Sequence, residues 1–138
     1  VPGDRAEHLS RGAIALIERP VIGNLATVGT GGVPHVTPVW VDHEAGDLLV
    51  NTAEGRVKAR NMRANPHVAV SIVAPEDPYL VVAFRGTVVE MTTEGADEHI
   101  DALAKKYLGQ DTYPFRQEGE VRVKVRIRPD RIVAQPVD

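Results

Sequence analysis

The sequence predicts a mainly β fold, an antiparallel β-barrel with flanking helices, and three observations predict it. The apolar content is mostly Val, Ala, Leu and Ile rather than aromatic, with 43% hydrophobic but only 4% aromatic residues, which suits a strand-rich core. Five or six strand-like runs follow one another through turn signals, so hairpins join most of them. The β-α-β alternation of a doubly wound parallel sheet is missing. At 138 residues the chain fits one domain, residues 1–138, burying about two-thirds of the surface its unfolded form exposes.

The elements follow in order. Asp4 with Glu7 resembles an N-terminal capping pattern, and Leu9, Ala13, Leu16 and Ile17 share one helical face until Pro20 stops the helix. Ile22 to Val28 is strand-like, and Gly29-Thr30-Gly31-Gly32 forms a hairpin turn into His35 to Val41. Asp42 to Gly46 supplies a second turn into the strand Asp47 to Thr52. The basic segment after Gly55 reads as the first turns of a helix, which Asn65-Pro66 ends because a residue before proline is pushed out of the α region. His67 to Val73 is another strand. A loop with two prolines leads to the long run Tyr79 to Met91, with Gly86 as a bulge. Thr92 or Thr93 caps a helix whose Ile100, Leu103, Ala104, Tyr107 and Leu108 lie on one face, and Gly109 closes it. In the last strand Val121, Val123, Val125 and Ile127 alternate with Arg122, Lys124, Arg126 and Arg128, so one face is buried and the other cationic.

Composition removes several kinds of chemistry. With no cysteine there are no disulfides, thiolate nucleophiles or cysteine metal sites, and a cytoplasmic location is expected. Apolar runs such as Tyr79 to Phe84 are too short to span a bilayer, and residues 1–19 are too charged for a secretory signal, so a soluble chain with no membrane partner is expected. No G-x-S-x-G elbow occurs, and Ser appears only at positions 10 and 71. The five histidines show neither H-E-x-x-H nor i, i+4 pairing, so no metal site is indicated. Glu118 with Glu120 and Asp97 with Glu98 read as solvated surface, and no residue is assigned a catalytic role. Chemistry without protein acids and bases is usually carried by a bound cofactor that the protein positions.

The candidate binding site is the segment GRVKARNMRANP. It sets Arg56, Lys58, Arg60 and Arg63 into eight residues without a carboxylate, in a chain whose net charge is -3. Concentrating like charge costs self-repulsion, and a helix N-terminus adds unpaired N–H groups and a favourable dipole, so the segment fits a phosphate; a solvated basic face is the bland alternative. Trp40, the only tryptophan, shares a face with Val36 and Pro38, where core packing accounts for it and ring stacking is the second reading. Pro38 marks an edge, a bulge or backbone turned to a ligand. His35 reads as structural. The cationic face of the last strand reads as protection of an exposed strand rather than a nucleic-acid contact, and the acidic net charge and few aromatics weigh against a stacking-based nucleic-acid binder.

Three stretches, NLATV from Asn24, G-x-P-H-V-T-P-V-W from Gly32 to Trp40, and LLVNTAEGRVKARNMRANP from Leu48 to Pro66, carry a resemblance. They resemble the pyridoxamine-5'-phosphate-oxidase-like split β-barrel flavoproteins, and within them the branch that uses the deazaflavin coenzyme F420 in place of FMN. The similarity runs from about Ile22 to Val133 and is most specific over Asn51 to Pro66. It implies a homodimer of six-stranded FMN-binding-type split barrels with cofactor sites in grooves between subunits. By resemblance, Arg56, Lys58 and Arg60 bind the cofactor phosphate, and Thr37, Pro38, Val39, Trp40, Asn51, Thr52 and Ala53 run beside the ring. Arg63 or Arg85 would serve the oligoglutamate tail, and the second chain would contribute near Tyr79. The implied activity is an F420-dependent reductase passing hydride to an electron-poor small molecule. The alternatives are an FMN-dependent oxidoreductase and a non-catalytic carrier or sensor. The ending RIRPDRIVAQPVD lacks the R-x-H pattern of vitamin B6 oxidases.

Overall fold

A computed structural model describes residues 7–138. In chain order its elements are α1 (Arg11–Glu18), β1 (Ile22–Val28), β2 (Pro34–Trp40), β3 (Asp42–Glu44), β4 (Asp47–Ala53), α2 (Val57–Ala64), β5 (His67–Ala74), β6 (Asp77–Thr92), α3 (Ala96–Leu108) and β7 (Arg122–Ala134). The strands form one sheet in the order β2-β1-β5-β6-β7-β4-β3, and every neighbouring pair is antiparallel. β2 and β3 lie at opposite edges of that order, yet only Val41 separates them in sequence. A sheet meets that constraint only by curling until its edges approach, which makes the predicted barrel.

Alternation decides what fills it. Leu25, Val39, Leu48, Val50, Ile72, Val82, Phe84, Val123, Val125 and Ile127 face inward and pack with Ala13, Leu16 and Ile17 of α1 and Met62 of α2. Burying each large aliphatic side chain contributes about 1.5–3 kcal/mol. No helix among the described residues is long and apolar enough to cross a membrane.

Several local features match the sequence reading. Gly29 N–H bonds to the Val33 carbonyl at 2.8 Å around a tight turn in which Gly31 has φ 78°. Gly109, at φ 71°, closes α3. At Gly86 the pairing register with β7 shifts, and a Cβ there would sit 2.7 Å from the Arg128 carbonyl oxygen.

Others differ, each for a local reason. α1 is capped by Ser10, whose Oγ accepts from Ala13 N at 3.1 Å, and the predicted cap at Asp4 lies outside the described residues. Asp42 to Glu44 is not turn but a short strand against β4, so the sheet has seven strands, and the turn shrinks to Ala45 and Gly46. Gly95, not Thr92 or Thr93, occupies the N-cap of α3, while Thr92 Oγ1 accepts from Glu94 N at 3.0 Å. β7 continues to Ala134 because Pro129 falls opposite Gly86 at the bulge, where its missing N–H is tolerated.

Candidate functional site

The side chains of β4 that do not enter the barrel meet α3, which packs across β4 and β7. Leu49, Ile100, Leu103 and Ala104 are buried on that outer side. The C-terminal end of α3 pins the β2–β3 corner. The Tyr107 hydroxyl accepts from Val41 N at 2.9 Å and donates to the Val21 carbonyl, while Lys106 Nζ donates to the carbonyls of Ile17 and Val41. Burial lowers the Lys106 pKa and raises that of Tyr107. Trp40 stacks on Tyr107 with ring centroids 5.0 Å apart and meets Tyr113 edge-on at 6.0 Å, and Tyr113 meets Phe115 at 5.7 Å.

Beside this aromatic wall opens a groove of about 290 Å³. Ile22 of β1 and Pro38, Val39 and Trp40 of β2 form one side, Ile100, Leu103, Tyr113 and Phe115 another, and Asn51, Arg56, Lys58 and Arg122 the polar end. Three cations therefore converge where the walls are otherwise apolar and aromatic.

Their partners differ. Arg122, with a side chain 5% exposed, donates Nε to Asn51 Oδ1 at 2.9 Å and Nη1 to Glu120 Oε1 at 3.0 Å, and its guanidinium lies 5.2 Å from the Tyr113 ring centroid. Among the described residues its Nη2 donates to no protein acceptor. Arg56 reaches Glu120 only at 3.7 Å. Lys58 pairs with no carboxylate among the described residues, and its pKa is lowered first by burial and then by Arg56 and Arg122. The one nearby carboxylate is shared by two arginines, so the groove keeps uncompensated positive charge. Arg56 is the N-cap of α2 with no side chain capping it, so the first-turn N–H groups add donors at the same end.

The sequence-predicted residues divide. Pro38, Val39, Trp40, Asn51, Arg56 and Lys58 line the groove together. Thr37 and Thr52 turn the other way, each with a buried hydroxyl lacking a partner, so only their backbone runs near it. Ala53 is buried, and Arg60 folds back to the Gly55 carbonyl at 3.3 Å. Arg63 pairs with Glu54. Trp40 is neither core nor free, but half-buried against Tyr107 on the outer face. Pro38 sits in β2, an edge strand that among the described residues pairs only with β1. His35 is half-buried away from the groove, with Nδ1 unpartnered.

Sequence reasoning missed Ile22, Ile100, Leu103, Tyr113, Phe115 and Arg122. Two readings behind that miss are corrected. β7 is a central strand between β6 and β4, so its cations do not guard an exposed strand. Glu120 is not solvated surface, since its side chain is 7% exposed under Arg122 and Arg56. The available signal was Tyr113 and Phe115 closely followed by Glu120 and Arg122, an aromatic and ionic cluster in a segment that otherwise reads as loop.

Residues 12–135 match the pyridoxamine 5'-phosphate oxidase family. This chain belongs to that family. Among solved structures, a protein described as an F420 reductase is 30% identical, with 88% of this chain and 95% of that chain covered and a TM-score of 0.77. A conserved hypothetical protein from Mycobacterium tuberculosis is 23% identical, covering 94% and 85% with a TM-score of 0.70. A structure described as a pyridoxamine 5'-phosphate oxidase homologue from Listeria innocua is 23% identical, covering 86% and 93% with a TM-score of 0.65. The last two share the fold. No curated protein matches the sequence. Membership in the pyridoxamine 5'-phosphate oxidase family places the chain among flavin- and deazaflavin-related oxidoreductases built on the split barrel.

Proposed function

We propose that this chain is an F420-dependent oxidoreductase that transfers hydride between the deazaflavin and an electron-poor small molecule, working as a cytoplasmic homodimer. The observation that carries it is Lys58, a cation without a carboxylate partner among the described residues, repelled by Arg56 and Arg122 at the end of an aromatic groove. Such a donor set fits a phosphate, since an anion there relieves the repulsion and meets the α2 N–H groups. The 30% identity to a protein described as an F420 reductase favours the deazaflavin over FMN.

In this reading Arg56 and Lys58 hold the phosphate, with Arg122 beside them, while Pro38, Val39 and Trp40 flank the ring. When bound, the deazaflavin supplies the hydride-carrying carbon that the polypeptide lacks. Ile22, Ile100, Leu103 and Phe115 exclude water from that end of the groove, and a fixed approach geometry is worth on the order of 7 kcal/mol of barrier. Tyr113 is the phenol at the groove that can hold a proton for the product, because the Tyr107 hydroxyl is committed to the Val21 carbonyl.

A homodimer is supported by the bare outer face of the sheet. Ile22, Val36, Val73 and Val133 are 47%, 63%, 43% and 68% exposed on strands that no described helix covers there, and Ile22 also lines the groove. Burying that patch in a second copy would bring the partner's loops to the site.

Absorbance titration tests the assignment. Purified apoprotein is expected to bind coenzyme F420, followed near ~420 nm, more tightly than FMN, followed near ~450 nm, and to turn over a quinone or enone with it. Tighter FMN binding with turnover would make it an FMN-dependent oxidoreductase, binding without turnover a carrier, and binding of neither would end the reading.

A further inference from the structure

A row of polar groups runs away from the groove beneath α3, from buried Arg122 through half-buried Asn51 to buried His99 and the more open Asp42. Its protons can be assigned from the donors alone. Arg122 Nε–H only donates, so the Asn51 atom 2.9 Å away is the carbonyl oxygen. The amide nitrogen then faces the Ala96 carbonyl at 2.9 Å and His99 Nδ1 at 3.1 Å. An amide nitrogen also only donates, so Nδ1 is bare and the neutral ring carries its proton on Nε2. That atom lies 3.5 Å from Asp42 Oδ2, and the contact with His99 lowers the Asp42 pKa.

The consequence is a single allowed arrangement. Both Asn51 amide hydrogens and its oxygen are engaged, and His99, 7% exposed, has no water-facing alternative. A proton on Nδ1 would oppose donor to donor. Turning the Asn51 amide over would set its oxygen against the Ala96 carbonyl and its nitrogen against Arg122 Nε–H, so the misfit would pass to the guanidinium that lines the groove.

We propose that His99 is a positioning residue for the groove: with Nδ1 accepting from Asn51 and the ring proton on Nε2, it locks Asn51 and through it fixes Arg122, with its free Nη2, against a bound anion. This rests on the groove being an anion site, and Lys58→Ala tests that separately. With FMN and coenzyme F420 as titrants, His99→Leu should weaken binding about 10-fold. His99→Asn should restore most of it, because its Oδ1 can accept from Asn51 where Nδ1 did. In the wild-type protein, nitrogen NMR of the ring should report Nδ1 as unprotonated, a reading independent of whether any variant folds. A protonated Nδ1 in neutral His99 overturns the proposal. So does a folded His99→Leu protein that binds both titrants as wild type does while Lys58→Ala weakens them. If Lys58→Ala also binds normally, the anion-site reading falls and takes this proposal with it.

Discussion

Arg126 on β7 and Lys58 on α2 are both cations on a half-covered surface, but their surroundings are opposite. Arg126 lies among three carboxylates, bonding Glu44 and reaching Asp47 at 3.1 Å and Glu90 at 3.9 Å, and Asp47 and then Glu44 raise its pKa. Lys58 has burial and two arginines around it, which lower its pKa. One charge has been neutralised by the fold and the other kept available. The comparison teaches that a basic cluster is a binding site only where the folded chain withholds its counter-charges, and that the two runs of four cations each contain both kinds of residue.

Arg122 belongs to both categories, so its removal breaks the comparison most severely. Arg122→Ala takes the hydrogen bonds of the guanidinium from buried Glu120 and half-buried Asn51, and should cost about 3 kcal/mol of stability in denaturant unfolding while also weakening cofactor binding. Lys58→Ala should separate the two effects, costing roughly 1.5 to 3 kcal/mol of cofactor affinity by fluorescence titration with no loss of stability, since the amine it removes is desolvated by burial and repelled by Arg56 and Arg122. Its protonation supplies a pH signature. An anion binds the charged amine, so affinity is full below the Lys58 pKa and lost as pH rises through it. Because that pKa is lowered, the loss should begin below the ordinary 10.5, and Lys58→Ala should abolish it.

The reverse pattern is expected on β7. Arg126→Ala should destabilise by about 1–2 kcal/mol, leaving Glu44, Asp47 and Glu90 facing one another, and leave cofactor affinity unchanged. The smallest effect belongs to Arg63→Ala. Its pair with Glu54 is exposed on both sides, so stability should change by less than about 0.5 kcal/mol, and a change in F420 affinity would instead place the cofactor's anionic tail there.

The parts of this fold legible in the chain were those set by local chemistry. Alternating Val123, Val125 and Ile127 placed β7 facing the core, the glycines at 29–32 and 109 marked turn and helix end, and Pro66 limited α2, because backbone preferences and side-chain periodicity act within a few residues. Local signals failed where a neighbour distant in sequence decides. Asp42 to Glu44 reads as turn until β4 offers it a ladder, and the alternation read as far as Arg128 continues past Pro129 only because the bulge at Gly86 takes that proline in.

The candidate site divides along the same line. The sequence by itself determined that a cationic segment opens α2 and that no motif in it nominates a general acid or nucleophile, since charge spacing and residue inventory need no fold. Only the tertiary structure decided which cations stay available. Closing the barrel carries Glu120 and Arg122 beside Arg56 and Lys58, turns Arg60 and Arg63 to local partners, and brings Trp40 against Tyr107 and Tyr113. Counter-charge and desolvation act through space, over a few ångströms, between residues that the chain separates by as many as 71 positions, as Asn51 and Arg122 are.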